Sequence, residues 1–304
     1  MATTTLERDR TRSAAVRRAG RRKKLTPFLF IGPAIGLIVA VLAYPVMYGI
    51  QLSLFETNVI GETTFIGLGQ YFKLFADPAF QGALVRSLVL VASSVIIGMV
   101  FSMTFAQILH KITFGGKVFR TIVLIPFLVS GIAAAVMWRF LFAPTGGVVG
   151  LVFDFFGADA ISWLGDPTRA MIVLILANVW FISPFSTLII YAGLKTVDPN
   201  LYDAAAIDGA GGWDTYRFIT VAALGPQLML SLMWLSFASF NMFDLIIPMT
   251  GGGPGRSTEV LALLLYQLGF EQLDFNAAAA VMVVLLGLNI GLSAAYLKLV
   301  PRDE

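Results

Sequence analysis

Cysteine is absent from the chain, and histidine occurs once, as His110. The lack of cysteine excludes disulfides, thiolate metal sites and a cysteine nucleophile. One histidine is too few for a multi-histidine metal site. A conventional serine–histidine–aspartate triad would have to use His110, because the chain has no other histidine. The pattern G-x4-G-K-[ST] is also missing, so the chain has no P-loop for ATP. Only 13% of its 304 residues are charged, against about 25% in soluble domains, and this excludes an ordinary water-soluble enzyme.

The chain is unusually rich in apolar residues: 58% of the residues are hydrophobic and the mean hydropathy is +0.83. A bilayer core about 30 Å thick requires about 20 apolar helical residues. Backbone polar groups in lipid must be paired within their own segment, so each such stretch is predicted to be a helix. The sequence therefore predicts an all-α, polytopic membrane protein. Its six predicted spans are residues 28–50, 87–109, 121–142, 171–192, 221–246 and 277–299.

Lysine and arginine are distributed unevenly around these spans. Residues 1–25 hold nine basic and two acidic side chains, a net charge of +7. With a cytoplasmic amino terminus, 16 of the 21 Lys and Arg residues lie inside, four lie outside, and Arg139 lies within the third span. The positive-inside rule then predicts a cell-membrane protein with both termini in the cytoplasm. We expect residues 1–26 to form a basic, disordered leader and residues 27–304 to form the membrane domain.

The cytoplasmic loop between the fourth and fifth spans, residues 193–220, is unusual because it carries four aspartates and only two basic residues. Asp198 followed by Pro199 is typical of a helix start. The Ala-rich segment that follows continues the helix, and glycines from Gly209 onward end it. The pattern predicts a short helix and turn that project into the cytoplasm and allow close approach of another surface. A plain amphipathic connector is the alternative.

This loop resembles a known family. Asp203-Ala-Ala-Ala-Ile-Asp-Gly209, with Ile219 ten residues later, is similar to the "EAA" loop of ABC-importer permeases. In that family the pattern is roughly E-A-A-x3-G-x9-I-x-L-P, and the loop is the coupling helix that docks into a cleft on the ATPase. Here Asp203 replaces the usual Glu, and Val221-Ala222 replaces the terminal Leu-Pro.

Other segments carry the same resemblance, which covers nearly everything after residue 28. Met249-Thr-Gly-Gly-Gly-Pro-Gly-Arg-Ser-Thr258 looks like the T-G-G-G-P-x3-T signature of carbohydrate-type permeases. Phe65-Ile-Gly-Leu-Gly-Gln-Tyr71 resembles their first outer loop, and Trp180 with Pro184-Phe185 fits their fourth span.

The resemblance implies the ABC type I importer permease fold and a transport subunit that is not itself an enzyme. It implies four kinds of partner: a second, homologous permease, two ATP-binding subunits, an extracytoplasmic solute-binding protein and membrane lipid. We expect no nucleic-acid partner. ATP and Mg²⁺ would be held by the ATPase subunits, and this chain would contain no catalytic residue, cofactor or metal. The residues expected to couple the chain to the ATPase are Asp203, Ala204, Ala205, Asp208, Gly209 and Ala210.

Polar and aromatic side chains at membrane depth are candidates for the solute path, because they are costly in lipid. Aromatic faces suit the apolar faces of a sugar ring, and amides and carboxylates suit its hydroxyls. Each candidate also has a structural interpretation, as a link between helices, a packing residue or a cap. The candidates are Arg139, Asn178, Trp180, Trp234, Asn241, Asp244 and Asn289.

Other functions remain open at this stage. An integral-membrane enzyme would need paired carboxylates in a cleft, whereas the membrane-embedded acid here is essentially Asp244. An ion-coupled secondary transporter would not need an ATPase-docking loop, and in many such folds it would show inverted repeats, which we do not detect. A glycerol-phosphate-type solute would favour cations in the pore, where Arg139 is the single candidate. We therefore expect a neutral di- or oligosaccharide as the solute.

Overall fold

The computed structural model describes residues 31–33, 35–58, 60–157 and 161–299. The predicted basic leader at residues 1–26 lies outside the described residues. The chain divides into two units, one ending at Leu52 and one beginning at Ser53. The first unit contains helix α1, Ile31–Leu52, an apolar helix of 22 residues with the length of a membrane span.

The second unit begins with a short hairpin and is otherwise helical. Strands β1 (Phe55–Thr57) and β2 (Thr63–Phe65) pair antiparallel, with Phe55 opposite Phe65. The helices that follow are α2 (Gly69–Ala76), α3 (Pro78–Lys111), α4 (Gly116–Leu128), α5 (Gly131–Leu141), α6 (Val148–Phe155), α7 (Pro167–Leu194), α8 (Pro199–Ile207), α9 (Gly212–Thr215), α10 (Gly225–Phe240), α11 (Ile246–Met249), α12 (Leu261–Tyr266) and α13 (Phe275–Leu299). Two π-helical segments, Tyr216–Val221 and Gln267–Glu271, follow α9 and α12 directly.

Two of the long helices begin with the same local signal. Asp77 caps α3 by accepting a hydrogen bond from the backbone N–H of Ala79, and Asp166 caps α7 by accepting one from Arg169. Each cap is followed by a proline at the first helical position. A capping aspartate satisfies a backbone donor that the helix leaves free, and proline there loses no helical hydrogen bond.

Helix α7 is the centre of the second unit. In its most apolar stretch 61% of the residues are buried, against 39% in α3 and 28% in α13. Helices α3, α7 and α10 pack against one another around buried residues such as Leu90, Leu174 and Leu235. Small residues permit this close approach: a Cβ added at Gly98 would lie 3.1 Å from Ser183 Oγ and 3.2 Å from a Leu235 methyl. Close packing of this kind is typical of helices in membranes.

The six predicted spans agree with the helices in number and approximate place, but two of them are not straight. Helices α1, α3, α7 and α13 are each long and apolar enough to cross a membrane alone. The predicted span 121–142 consists of α4 and α5, which meet at 95°, and the span 221–246 begins in a segment that bends by 76° before α10. Counting each bent pair as one span gives six.

Prolines account for part of this difference. Pro126 lies in the last turn of α4, which ends two residues later, and Pro226 lies in the first turn of α10. Proline removes a backbone donor and clashes with the preceding turn, so helices tend to end or begin near it. Proline in a helix interior usually interrupts it, but α7 continues through Pro184, from Pro167 to Leu194. The predicted fifth span also extends too far, since α10 ends at Phe240.

Candidate functional site: the cytoplasmic loop and the membrane interior

The predicted cytoplasmic helix is present and has the predicted start. Helix α8 begins after Asp198, whose Oδ1 accepts a hydrogen bond of 2.9 Å from the backbone N–H of Asn200. Pro199 occupies the first helical turn. The loop therefore folds into a defined helix between α7 and α10.

Helix α8 ends at Ile207, and the chain turns away from it at Gly209 for a conformational reason. Gly209 has a φ of +75°, in the left-handed region that glycine adopts without a steric penalty. Two hydrogen bonds close the turn: Gly209 donates to the Ala206 carbonyl at 3.2 Å, and Ala210 donates to the Ala205 carbonyl at 2.9 Å. The turn thus satisfies carbonyl groups that the helix end would leave free.

Five of the six predicted coupling residues are exposed, and one faces inward. Ala205 is buried at 7% exposure, while the other five form an open surface around the turn. Ile207, in the same segment, is 86% exposed. The surface therefore places one large apolar side chain among small residues and aspartates, and the small residues leave room for close approach of another surface.

The second half of the loop links this surface to the membrane helices. The Tyr202 hydroxyl and Thr220 Oγ1 are 3.2 Å apart and form a hydrogen bond between α8 and the π-helix that leads into α10. Trp213 and Tyr216 pack their rings at 5.5 Å within the same segment. A displacement of α8 would consequently be passed to the root of α10.

Asn178 joins three helices in the membrane interior. Its side chain has no exposed surface, and its Nδ2 donates to Ser94 Oγ of α3 at 2.8 Å and to Ser239 Oγ of α10 at 2.9 Å. Asn178 Oδ1 has no hydrogen-bond partner. In this conformation both amide donors are used to connect helices, so contact with solute would require these bonds to open.

The two predicted path tryptophans lie in separate aromatic clusters. Trp180 packs edge-on to Trp138 with ring centroids 6.0 Å apart. Trp234 lies 4.5 Å from the ring of Phe185 and donates through Nε1 to the Ile182 carbonyl at 3.1 Å. Trp180 and Trp234 are both half-buried, so each cluster keeps part of an aromatic face open.

Asn241 and Asp244 follow the end of α10, with Asp244 beside the start of α5, and Arg139 lies in the last turn of α5. Asn241 is exposed, and its Nδ2 donates to the Phe237 carbonyl at 2.8 Å. Asp244 lies so close to Gly131 that a Cβ added there would overlap the carboxylate. Arg139 donates from Nη1 to the Pro248 carbonyl at 3.2 Å.

An ion pair between Arg139 and Asp244 does not occur among the described residues, where the salt bridges are Lys73–Glu56 and Arg256–Glu259. Arg139 instead lines a cavity of about 400 Å³ together with Leu164 and the glycine-rich segment after α11, which includes Thr250, Gly251, Gly253 and Pro254.

Asn289 is the remaining path candidate, and it bonds within its own helix. Its Nδ2 donates to the Leu285 carbonyl at 2.9 Å, one turn earlier in α13. The side chain is half-buried. It therefore makes no hydrogen bond to another helix and could turn toward a solute without disrupting one.

The glycine-rich segment after α11 is a fixed turn. Thr258 Oγ1 donates to the Gly253 carbonyl at 2.9 Å and lies 2.7 Å from Thr250 Oγ1. Gly252 has a φ of +90°, and a Cβ there would lie 2.9 Å from a Leu263 methyl. The segment therefore needs glycine for its backbone shape.

An ion pair between the exposed Arg256 and the buried Glu259 holds the end of this turn. Glu259 is 3% exposed, and its two carboxylate oxygens each accept a 2.7 Å hydrogen bond from Arg256. These bonds raise the pKa of Arg256 above its ordinary value. Arg86 of α3 donates to the Glu259 carbonyl at 2.7 Å, which attaches the turn to the N-terminal part of α3.

Two features of the interior were missed from the sequence. Small hydroxyl side chains line the contacts between helices, and Ser183, Ser186 and Ser231 are fully buried. A cavity of about 750 Å³ lies behind the loop between α7 and α10. Small polar residues spaced along apolar helices are the signal that points to helix contacts, whereas the cavity has no local signal. No group of three or more metal-ligating side chains is found among the described residues.

The comparisons with known proteins agree with this arrangement. Residues 94–302 match the family described as binding-protein-dependent transport system inner membrane component. A probable ABC transporter permease protein of Pyrococcus horikoshii is 32% identical, over 91% of this chain and 97% of that one. The trehalose/maltose transport system permease protein MalF of Thermococcus litoralis is 31% identical, over 89% and 92%. The trehalose transport system permease protein SugA of Mycobacterium tuberculosis is 30% identical, over 96% and 94%.

Among solved structures, the fold is similar to a bacterial alginate ABC transporter in complex with alginate pentasaccharide-bound periplasmic protein. The TM-score is 0.76 at 22% identity, covering 90% of this chain and 95% of that one. A second structure, of a bacterial ABC transporter involved in the import of the acidic polysaccharide alginate, has a TM-score of 0.77 at 22% identity, covering 94% of this chain and all of that one. The fold is therefore that of an ABC-importer permease.

Proposed function

The chain belongs to the family of binding-protein-dependent transport system inner membrane components, and from that premise we propose that it forms half of the pore of an ATP-driven carbohydrate importer. It is a multi-pass membrane protein and a transport component, not an enzyme. A second, homologous permease would complete the pore. Two ATP-binding subunits would lie on the cytoplasmic side, and a solute-binding protein would deliver the solute from outside.

The observation that carries the proposal is the exposed surface of α8. Asp203, Ile207 and Asp208 project from a helix that is capped at both ends and bonded to the root of α10 through Tyr202. ATP and Mg²⁺ would bind to the partner subunits, because this chain has no P-loop. Closure of the ATPase pair would move α8, and α8 would move α10. Alternating access then follows from a shift between two states of the pore.

The solute class is supported by the relatives and by the chemistry of the interior. Two of the relatives are named for transport of trehalose or of trehalose and maltose. The half-buried rings of Trp180 and Trp234 would contact sugar faces, and the amides of Asn241 and Asn289 would bond sugar hydroxyls. Asn178, Asp244 and Arg139 would complete the path when the helices separate. A neutral di- or oligosaccharide is the solute that we propose.

The coupling role is tested by substitution of Gly209 with valine. A Cβ at Gly209 meets nothing within 4 Å, but its φ of +75° strains any other residue. That strain is about 1–2 kcal/mol, so we expect uptake per ATP hydrolysed to fall about tenfold while membrane insertion is unchanged. Uptake of radiolabelled sugar and ATP hydrolysis would be measured on the same proteoliposomes.

The matched control is Gly211→Val, on the same loop and outside the residues that line the adjacent cavity. Gly211 has a φ of −68°, which valine adopts without strain, and the nearest atom to a Cβ there is Asp214 Oδ2 at 3.7 Å. We expect this variant to retain coupling. Normal coupling in Gly209→Val, or equal loss in both variants, would contradict the assignment of α8. The solute would be identified by calorimetry of the cognate solute-binding protein against a panel of neutral and phosphorylated sugars.

A further inference from the structure

The proposed function gives no ligand to the cavity of about 750 Å³ behind the loop between α7 and α10. It lies between the end of α3, the end of α7 and the segment from α8 to the π-helix before α10. This volume is within the range of small-molecule sites. Its lining residues are Gln107, His110, Lys111, Leu194, Tyr202, Ala210, Gly212, Trp213, Thr215, Tyr216 and Thr220.

The charged side chain in this lining is a cation, Lys111. Lys111 is exposed at the last turn of α3, and it forms no ion pair among the described residues. None of the described residues that line the cavity is acidic, although Asp203 and Asp214 each follow a lining residue in the chain. Two further cations, Arg120 and Lys195, lie against the Tyr191 ring at 5.4 and 5.5 Å.

The uncharged lining supplies donors and flat rings. The hydroxyls of Tyr202, Tyr216 and Thr220 and the Gln107 amide can each donate a hydrogen bond to an anion. Trp213 is 69% exposed, so a large aromatic face is available at the rim. A lysine combined with several neutral donors is a combination that recognises phosphate, and aromatic rings beside it accept the apolar part of a ligand.

We propose that this cavity binds a phosphate-bearing ligand, with Lys111 as its charged contact. The ligand is either the headgroup of an anionic phospholipid in the cytoplasmic leaflet or a soluble phosphorylated metabolite such as a sugar phosphate. Both present the same group to Lys111, and both are available on the cytoplasmic side. The path candidates of the proposed pore do not line this cavity, so it is a second site.

The position of the cavity gives the ligand a consequence for transport. Tyr202 of α8 and Thr220 of the π-helix form both the wall of the cavity and the hydrogen bond that links α8 to the root of α10. A ligand that contacts both α8 and the π-helix would stabilise the relative position of these two helices in which it binds best. It would therefore shift the balance between the states of the pore by its difference in affinity for them.

The test measures binding and does not depend on transport. The full chain is placed in nanodiscs of phosphatidylcholine and titrated with glucose 6-phosphate, with glucose as the neutral comparison, by calorimetry. In a second arm, nanodiscs containing phosphatidylglycerol and phosphatidylcholine are analysed by native mass spectrometry for retained phosphatidylglycerol. Each arm uses the unaltered chain, Lys111→Met, Lys111→Arg and the control Lys117→Met, whose lysine lies on α4 outside the cavity.

We expect one probe to bind and Lys111→Met to weaken it about tenfold, which is the usual effect of losing one charge-assisted contact. Lys111→Arg keeps the charge and is expected to retain most of the affinity. Selective binding of glucose 6-phosphate indicates a soluble ligand, and selective retention of phosphatidylglycerol indicates a lipid headgroup. The proposal is overturned if neither probe binds, if glucose binds as well as its phosphate, or if Lys117→Met loses as much affinity as Lys111→Met.

Discussion

Asn178 and Asn289 are both asparagines in apolar helices, and their amides have different structural roles. Asn178 donates to serines on two other helices, at 2.8 and 2.9 Å. Asn289 donates to a carbonyl of its own helix. In a bilayer, hydrogen bonds between helices contribute to association because the apolar side chains alone do not distinguish protein from lipid. The two residues therefore provide a matched comparison.

Replacement of Asn178 by alanine is predicted to destabilise the fold. The substitution removes two hydrogen bonds between helices and leaves the Ser94 and Ser239 hydroxyls without this partner. We expect a loss of about 1–2 kcal/mol, measured as a lower thermal unfolding midpoint of the detergent-purified chain. Asn289→Ala is the control and is expected to change the midpoint little. Equal effects of the two substitutions would show that Asn178 does not join the helices.

At the scale of helices and strands, the two bent helix pairs distinguish this fold from six straight spans. Helices α4 and α5 meet at 95°, and the start of α5 packs against the segment after α10 that contains Asp244. A carboxylate near a helix N-terminus is favourable because the backbone N–H groups there carry partial positive charge. Gly131 leaves the space for this carboxylate. A small residue and an acid from different parts of the chain therefore meet beside the bend.

Gly131→Ala is predicted to disturb this junction. The added Cβ would overlap the Asp244 carboxylate, and overpacking of this kind costs about 1–3 kcal/mol. We expect a lower thermal midpoint for Gly131→Ala and partial recovery in the double variant Gly131→Ala with Asp244→Gly. A double-mutant cycle gives the coupling between the two positions.

The control for this prediction is Gly287→Ala in α13. Nothing lies within 4 Å of a Cβ at Gly287, so alanine there removes glycine's entropic cost without a clash. We expect this variant to be as stable as the unaltered chain or more stable. A Gly131→Ala variant that behaves like Gly287→Ala would mean that Asp244 does not occupy the space beside α5.

At the scale of the whole molecule, we infer the orientation in the membrane from charge. Of the 21 Lys and Arg residues, 16 lie in the segments predicted to be inside and four in those predicted to be outside. By the positive-inside rule this asymmetry predicts that α8 lies in the cytoplasm and the α6–α7 connection outside. Every proposal about the ATPase and about the phosphate-bearing ligand rests on this orientation.

Single-cysteine labelling tests the orientation directly, because the natural chain has no cysteine. Ile207 and Phe156 are 86% and 78% exposed, so a thiol at either position is accessible without disturbing packing. We expect a membrane-impermeant maleimide to label Phe156→Cys in intact cells and Ile207→Cys only in inverted vesicles. Labelling of Ile207→Cys in intact cells would reverse the topology and exclude contact between α8 and a cytoplasmic ATPase.

Much of the fold could be predicted from local sequence. Apolar stretches of span length predict membrane helices because the bilayer requires internally paired backbone. Asp198, Pro199 and Gly209 predicted the start and end of α8, since capping and left-handed turns depend on the residue itself. The 95° bend could not be predicted in the same way. Pro126 suggested an interruption, but the angle depends on contacts with distant residues such as Asp244.

The sequence by itself determined the class of the protein: its apolar runs, its charge asymmetry and its acidic loop are local properties that act wherever the chain folds. Only the tertiary structure decided what the polar residues contact. Asn178 bonds to Ser94 and Ser239, which are 84 and 61 positions away, and Lys111 shares a cavity with Trp213. Such pairs form because packing brings distant helices together, and no spacing along the chain encodes them.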